Sequence, residues 1–145
     1  MAVTVEPLTV VDDEIVEAFD RLLPQLSTTA PRLDRTALTH LATADATTVL
    51  IARSDEKIVG TLTLVMFPLP SGLRARVEDV VVDDIARGQG VGALLIEAAK
   101  SRATTAGART LDLTSRPSRT AANHLYERLD FHPRDSRVYR FTPLD

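Results

Sequence analysis

Arg87-Gly88-Gln89-Gly90-Val91-Gly92 sets three glycines within five positions, after a strand-like run, Arg76 to Val82, and at the start of a strongly helical one, Val91 to Ala106. Bare backbone at the mouth of a helix leaves peptide N–H groups free to face an anion, and the helix dipole favours negative charge there. The chemistry implied is a phosphate grip. A nucleoside-triphosphate loop needs a Lys-Ser/Thr pair after its last glycine, and here Ala93 and Leu94 follow Gly92. That reading fails. A dinucleotide site fits the spacing Gly88-x-Gly90-x-x-Ala93, with Asp112 at a suitable distance for a ribose hydroxyl. Against it, Asp83 to Arg87 separate strand from glycines, and the remaining chain is too short for further βα units.

Candidate bases lie on the strands that flank the loop. Glu78 and Asp79 interrupt a valine-rich strand, and a carboxylate among valines calls for a partner or a function. Strict alternation puts the two on opposite faces, so only one can serve a site. Asp112, on the strand after the helix, is a second candidate base. His40, His124 and His132 lack ligand spacing, so no metal site is expected. The chain has no cysteine, which removes disulfides, thiolate zinc ligands and a thiolate nucleophile.

Composition sets the outer limits. The chain has 145 residues, 44% of them hydrophobic and 26% charged, which predicts one globular domain over residues 1–145. A net charge of −3 argues against nucleic acid as a partner. The N-terminus has no basic and apolar leader pattern, and the apolar run Ile58 to Leu69 is too short to span a bilayer. A cytoplasmic protein, with no membrane partner, is the expectation; monomer and homodimer both stay open.

The elements that must position the loop follow from patterning. Val3 to Leu8 predicts an edge strand, and Asp12 or Asp13 caps a helix running to about Leu23. Pro24 and Pro31 bracket a loop before a second helix capped by Asp34. Strands are expected over Thr47 to Arg53, Ile58 to Phe67 and Arg76 to Val82, with turns at Ser54 to Lys57 and Pro68 to Gly72. Val91, Leu94, Leu95, Ala98, Ala99 and Arg102 keep helical spacing, and Gly107 stops that helix. Thr110 to Thr114 then completes a parallel βαβ crossover. Ser118 caps a last helix through Leu129, and a closing strand follows at about Val138 to Phe141. The fold class is α+β: a mixed, mostly antiparallel sheet with a central βαβ crossover, flanked by helices.

Val80 through Gly92 resembles the acetyl-CoA signature of the GNAT superfamily of N-acetyltransferases: a strand, a short link, then Arg/Gln-x-x-Gly-x-Gly/Ala at a helix start. Ala122-Asn123-His124-Leu125-Tyr126-Glu127-Arg128-Leu129-Asp130-Phe131, following Thr114 to Arg119, is similar to the superfamily's last motif, which usually ends Leu-Tyr-x-x-Leu-Gly-Phe. Together the motifs cover about residues 76 to 131. The resemblance implies the GNAT fold and acetyl-CoA as cosubstrate. It also implies direct transfer to a primary amine, of a small molecule or of a protein or peptide, within a ternary complex. The alternative is a non-enzymatic acyl-CoA-binding or regulatory module of the same fold.

Carried over by position, Arg87, Gly88, Gln89, Gly90, Val91, Gly92 and Ala93 would hold the CoA pyrophosphate. Val80 and Val82 would offer main-chain groups to the pantetheine arm and acetyl carbonyl, and Asn123 a contact to the CoA arm. Tyr126 matches the general acid that protonates the leaving thiolate, and Glu78 the glutamate near the amine. The stretch Val11 to Leu41 would border the acceptor pocket. Two positions depart from the pattern. Arg119 stands where many members have an asparagine, and Asp130 replaces the glycine that ends the last helix.

Overall fold

The computed structural model describes residues 2–144. They fall into two compact units, one up to Thr114 and one from Ser115 onward. The first unit is built on a five-stranded sheet in sequence order: β1 (Val3–Pro7), β2 (Thr47–Ser54), β3 (Lys57–Leu69), β4 (Gly72–Val82) and β5 (Leu111–Asp112). The first four strands pair antiparallel, and β5 joins β4 in parallel. This is the mixed, mostly antiparallel α+β architecture that the patterning predicts.

Helix α1 (Asp13–Leu26) begins where Asp12 accepts the Ile15 N–H at 3.0 Å, and α2 (Arg35–Thr43) where Asp34 accepts from Ala37 at 2.8 Å. Ile15, Ala18, Phe19 and Leu22 recur at helical spacing and bury against Val49, Ile51, Ile58 and Val81, with Leu38 of α2 beside them. On the other sheet face, α3 (Val91–Ala106) buries Val91, Leu95, Ile96, Ala99 and Ala103. Its close approach needs a residue without a side chain below it. A Cβ at Gly60 would sit 3.1 Å from Val91 Cγ1 and 3.2 Å from Leu95 Cδ1. Gly107, with φ of 81°, ends α3 as expected.

Several boundaries move. Helix α1 runs past Leu23 through Pro24 to Leu26, because a proline within the last turn forfeits a single bond and Ser27 still donates to the Leu23 carbonyl at 2.9 Å. The β2–β3 turn narrows to Asp55 and Glu56, both at positive φ, as a primed two-residue turn requires. Strand β4 starts earlier than patterning indicated, at Gly72, and β5 shrinks to two residues.

In the second unit, α4 (Thr120–Arg128) is the one regular element among the described residues. Ser118 is not its cap. Arg119 takes that position, and no side chain caps the helix. The closing strand expected over Val138 to Phe141 is absent: those residues form no ladder and stay exposed. Strand propensity alone does not make a strand without a ladder to pair its backbone groups.

Candidate active site

The Asp84–Ala86 3-10 turn connects β4 to the glycine loop, and the loop opens α3. Gly88 and Gly90 have φ of 82° and 79°, a conformation that costs an L side chain roughly 1–2 kcal/mol. A Cβ at either would meet nothing within 4 Å. Glycine is therefore required here by backbone conformation, and the space beside it stays open. Gly90 is the N-cap of α3 and supplies no side-chain cap, and the first turn holds no acidic residue. Helices α1 and α2 both begin on an aspartate that fills this need. The N–H groups that open α3 keep their partial positive charge for a ligand.

Arg87, Gly88, Gln89 and Gly90 are exposed, while Val91 is buried and anchors the helix. Gly92 and Ala93 lie half-buried in the first turn. The Arg87 guanidinium is 3.0 Å from Asp84 in an exposed pair. As a phosphate cradle the stretch fits: open space at two left-handed glycines, uncapped amides and a nearby cation.

Strand β4 carries the second feature. Between Thr61 and Thr63 of β3, two residue steps face three on β4, from Val81 to Glu78. Asp79 sits in this bulge at φ of 50°. The extra residue breaks the alternation expected along the strand. Ala75 and Val77 point to the α3 face, whereas Val81 packs in the α1–α2 core. Glu78, opposite Thr63, lies on that same α1–α2 face, and Asp79 belongs to neither regular row.

Pairing of β4 with β5 covers only Ala75–Leu111 and Arg76–Asp112. Beyond Arg76, no strand among the described residues pairs with that edge of β4. Asp83 donates to the Val59 carbonyl at 2.8 Å. By antiparallel alternation Val81 also faces β3, so the Val82 main-chain groups and the Val80 carbonyl turn to the open edge. The edge ends at the glycine loop.

Glu78 is not isolated among valines. Its carboxylate lies 3.1 Å from Arg76 Nε and is 45% exposed. Asp112, in register with Arg76, shares that face, so one arginine stands between the two candidate bases. In the second unit, Tyr126 and Asn123 lie on α4, both half-buried. Asn123 donates to the Arg116 carbonyl at 3.0 Å. Asp130 and Phe131 donate to the carbonyls of Glu127 and Tyr126, at 3.1 and 3.0 Å, which closes α4 in a Schellman motif. The Tyr126 and Phe131 rings meet edge to face, 6.1 Å apart. Asp130 has the left-handed φ, 70°, that the family glycine would take.

Patterning missed one group. Asp83, with its side chain 4% exposed, is 3.0 Å from Arg21 Nε, and Arg21 also bonds Glu17 and the Ile58 carbonyl. Gln25 donates to Asp83 at 3.4 Å and accepts the Asp84 N–H at 2.9 Å. Burial pushes the Asp83 carboxyl up, but bonds from Arg21, the Ile85 N–H and Gln25 outweigh it and leave it below its ordinary value. Burial likewise lowers Arg21, and its bonds to Glu17 and Asp83 leave it raised. The only local signal was an aspartate two residues before an amide it could cap; its partners lie about sixty residues away in sequence.

A family model described as the acetyltransferase (GNAT) family matches residues 13–131. The chain belongs to that family. Solved structures agree on the fold. An aminoglycoside acetyltransferase from an uncultured soil metagenomic sample aligns at a TM-score of 0.80 with 21% identity, over 99% of this chain and 97% of that one. A ribosomal-protein-alanine N-acetyltransferase from Brucella melitensis aligns at 0.79 with 24% identity, over 98% and 99%. A transcriptional regulator from Bacillus halodurans aligns at 0.80 with 24% identity, over 97% and 100%. No protein of curated function matches. Among the described residues of this GNAT member, no group of three or more His, Asp or Glu could hold a metal, and no helix is long and apolar enough to cross a membrane.

Proposed function

We propose that the chain transfers the acetyl group of acetyl-CoA to a primary amine by direct attack, with both substrates bound together. The observation that carries this reading is the uncapped α3 N-terminus, with left-handed Gly88 and Gly90, at the end of an unpaired β4 edge. Amides from Gly88 to Ala93, with the Arg87 side chain beside them, grip the pyrophosphate, and Val80 and Val82 bond the pantetheine arm through their main chain. Asn123 contributes a further contact to that arm.

The amine arrives as an ammonium without a lone pair, so a base must first take its proton; Glu78 does so directly or through water. A main-chain N–H of β4 donates to the oxyanion formed when the amine attacks the thioester carbon. The C–S bond then breaks, the Tyr126 hydroxyl gives its proton to the departing thiolate, and the extra proton on the attacking nitrogen leaves through water and restores the tyrosine. With no cysteine in the chain, no protein thiol can carry the acetyl group. Residues 1–114 hold 11 basic against 16 acidic side chains, a net of −5 that suits a cationic acceptor.

The test is incubation with acetyl-CoA and an amine panel of aminoglycosides, polyamines, amino acids and peptides with a free N-terminal alanine, with released thiol as readout. Thiol release that depends on one acceptor class is expected. Acetyl-CoA binding without thiol release on any amine would contradict the enzymatic reading.

A further inference from the structure

We propose that Asp83, clamped by Arg21 and Gln25 of α1, is a positioning residue that sets the affinity of the glycine loop for the donor pyrophosphate. The inference rests on reading that loop as the donor site. Between β4 and the loop, every peptide N–H from Asp83 to Arg87 has a partner. Asp83 bonds Val59 at 2.8 Å, Asp84 bonds Gln25 at 2.9 Å, and Ile85 bonds the Asp83 carboxylate at 3.3 Å. Ala86 and Arg87 bond the carbonyls of Asp83 and Asp84 at 2.9 and 3.4 Å.

Two of those five partners are side chains, and both depend on α1. Gln25 belongs to that helix, and the Asp83 carboxylate is fixed by Arg21 Nε on one oxygen and reached by Gln25 on the other. Arg21 is fixed in turn by Glu17 and by the Ile58 carbonyl at 2.6 Å. Beyond the turn, Gly90 is tied to α3 through its carbonyl, which accepts the Leu94 N–H at 3.1 Å. The turn therefore fixes one end of the loop and the helix the other. The helix that borders the expected acceptor pocket thus preorganises the grip on the donor, and preorganisation is what a flexible loop would otherwise lose on binding.

The experiment compares Gln25→Ala and Asp83→Asn with the wild-type chain, using acetyl-CoA and S-acetyl-pantetheine, a donor without the pyrophosphate. The readout is the ratio of kcat/KM for the two donors, together with the calorimetric Kd of acetyl-CoA. A fall in that ratio of about tenfold, with a matching rise in Kd, is expected for each variant. A merely structural role would lower both donors in parallel and leave the ratio unchanged, which overturns the proposal. Half-buried Gln25 supplies the test should Asp83→Asn fail to fold. Failure of the wild-type chain to bind acetyl-CoA would instead overturn the donor reading itself, and this proposal with it.

Discussion

Residues up to Thr114 and residues from Ser115 onward hold their shape by different means. The first unit buries side chains on both faces of a sheet, with Leu22, Leu38, Leu50, Leu62, Leu95 and Ile96 all fully enclosed. The second buries no whole residue among 115–144, and its described contacts include the Schellman close of α4, one ring contact and the Asn123–Arg116 bond. Charge divides the same way, with 6 basic against 4 acidic side chains in the second unit, a net of +2. The candidate donor grip is thus main chain mounted on a packed core. The candidate acid rides on a helix with no fully buried residue.

The largest expected effect would break that contrast if it failed. Leu22→Ala removes a fully buried side chain and should cost about 3–4 kcal/mol in denaturant unfolding, whereas half-buried Leu125→Ala should cost under about 1 kcal/mol. Equal losses would show that the second unit has a core of comparable weight. Next in size, Tyr126→Phe should lower kcat about 100-fold, as loss of a general acid does, while Tm stays within a degree or so. The variant ring keeps its edge contact with Phe131, so a fall in Tm without a fall in rate would assign Tyr126 to packing alone.

A narrower effect concerns acid. The folded Asp83 carboxyl is depressed, so its contribution to stability is present above the ordinary value of 3.8 and is lost as pH falls below it. Wild-type stability should therefore drop more steeply with acid than that of Asp83→Asn, and parallel curves would remove the clamp from the stability of the first unit. Smallest of all, Asp130→Gly should raise stability by about 0.5–1 kcal/mol, because Asp130 holds a left-handed φ that glycine adopts without strain. A measured loss would mean that the Asp130 side chain contributes more than the strain costs.

What was legible in the chain, and what was not, follows the same division. Helix α3 and its Gly107 stop were plain because sixteen residues keep one period and end on a glycine. The cap Asp34 was legible, and the first cap to within Asp12 or Asp13, because capping is local. The β4 bulge was hidden. Ala75, Val77 and Val81 share one parity, and a strand covered on both faces offers no alternation to reveal that Val81 has changed sides. Arg21 and Gln25 were hidden as well, since a partner about sixty residues away leaves no periodic trace. At the C-terminus the opposite error arose. Val138, Tyr139 and Phe141 have strand propensity, but they pair in no ladder, and propensity alone does not make a strand.

Titration of acetyl-CoA into the wild-type chain and into Gly90→Val tests the donor grip most directly. The substitution forces a β-branched side chain into φ of 79° at the mouth of α3, beside the amides that would face the pyrophosphate. Saturable binding of one acetyl-CoA per wild-type chain, weakened about 100-fold or more in the folded variant, is the expected result. Equal affinity in both, or no binding by the wild-type chain, would contradict it.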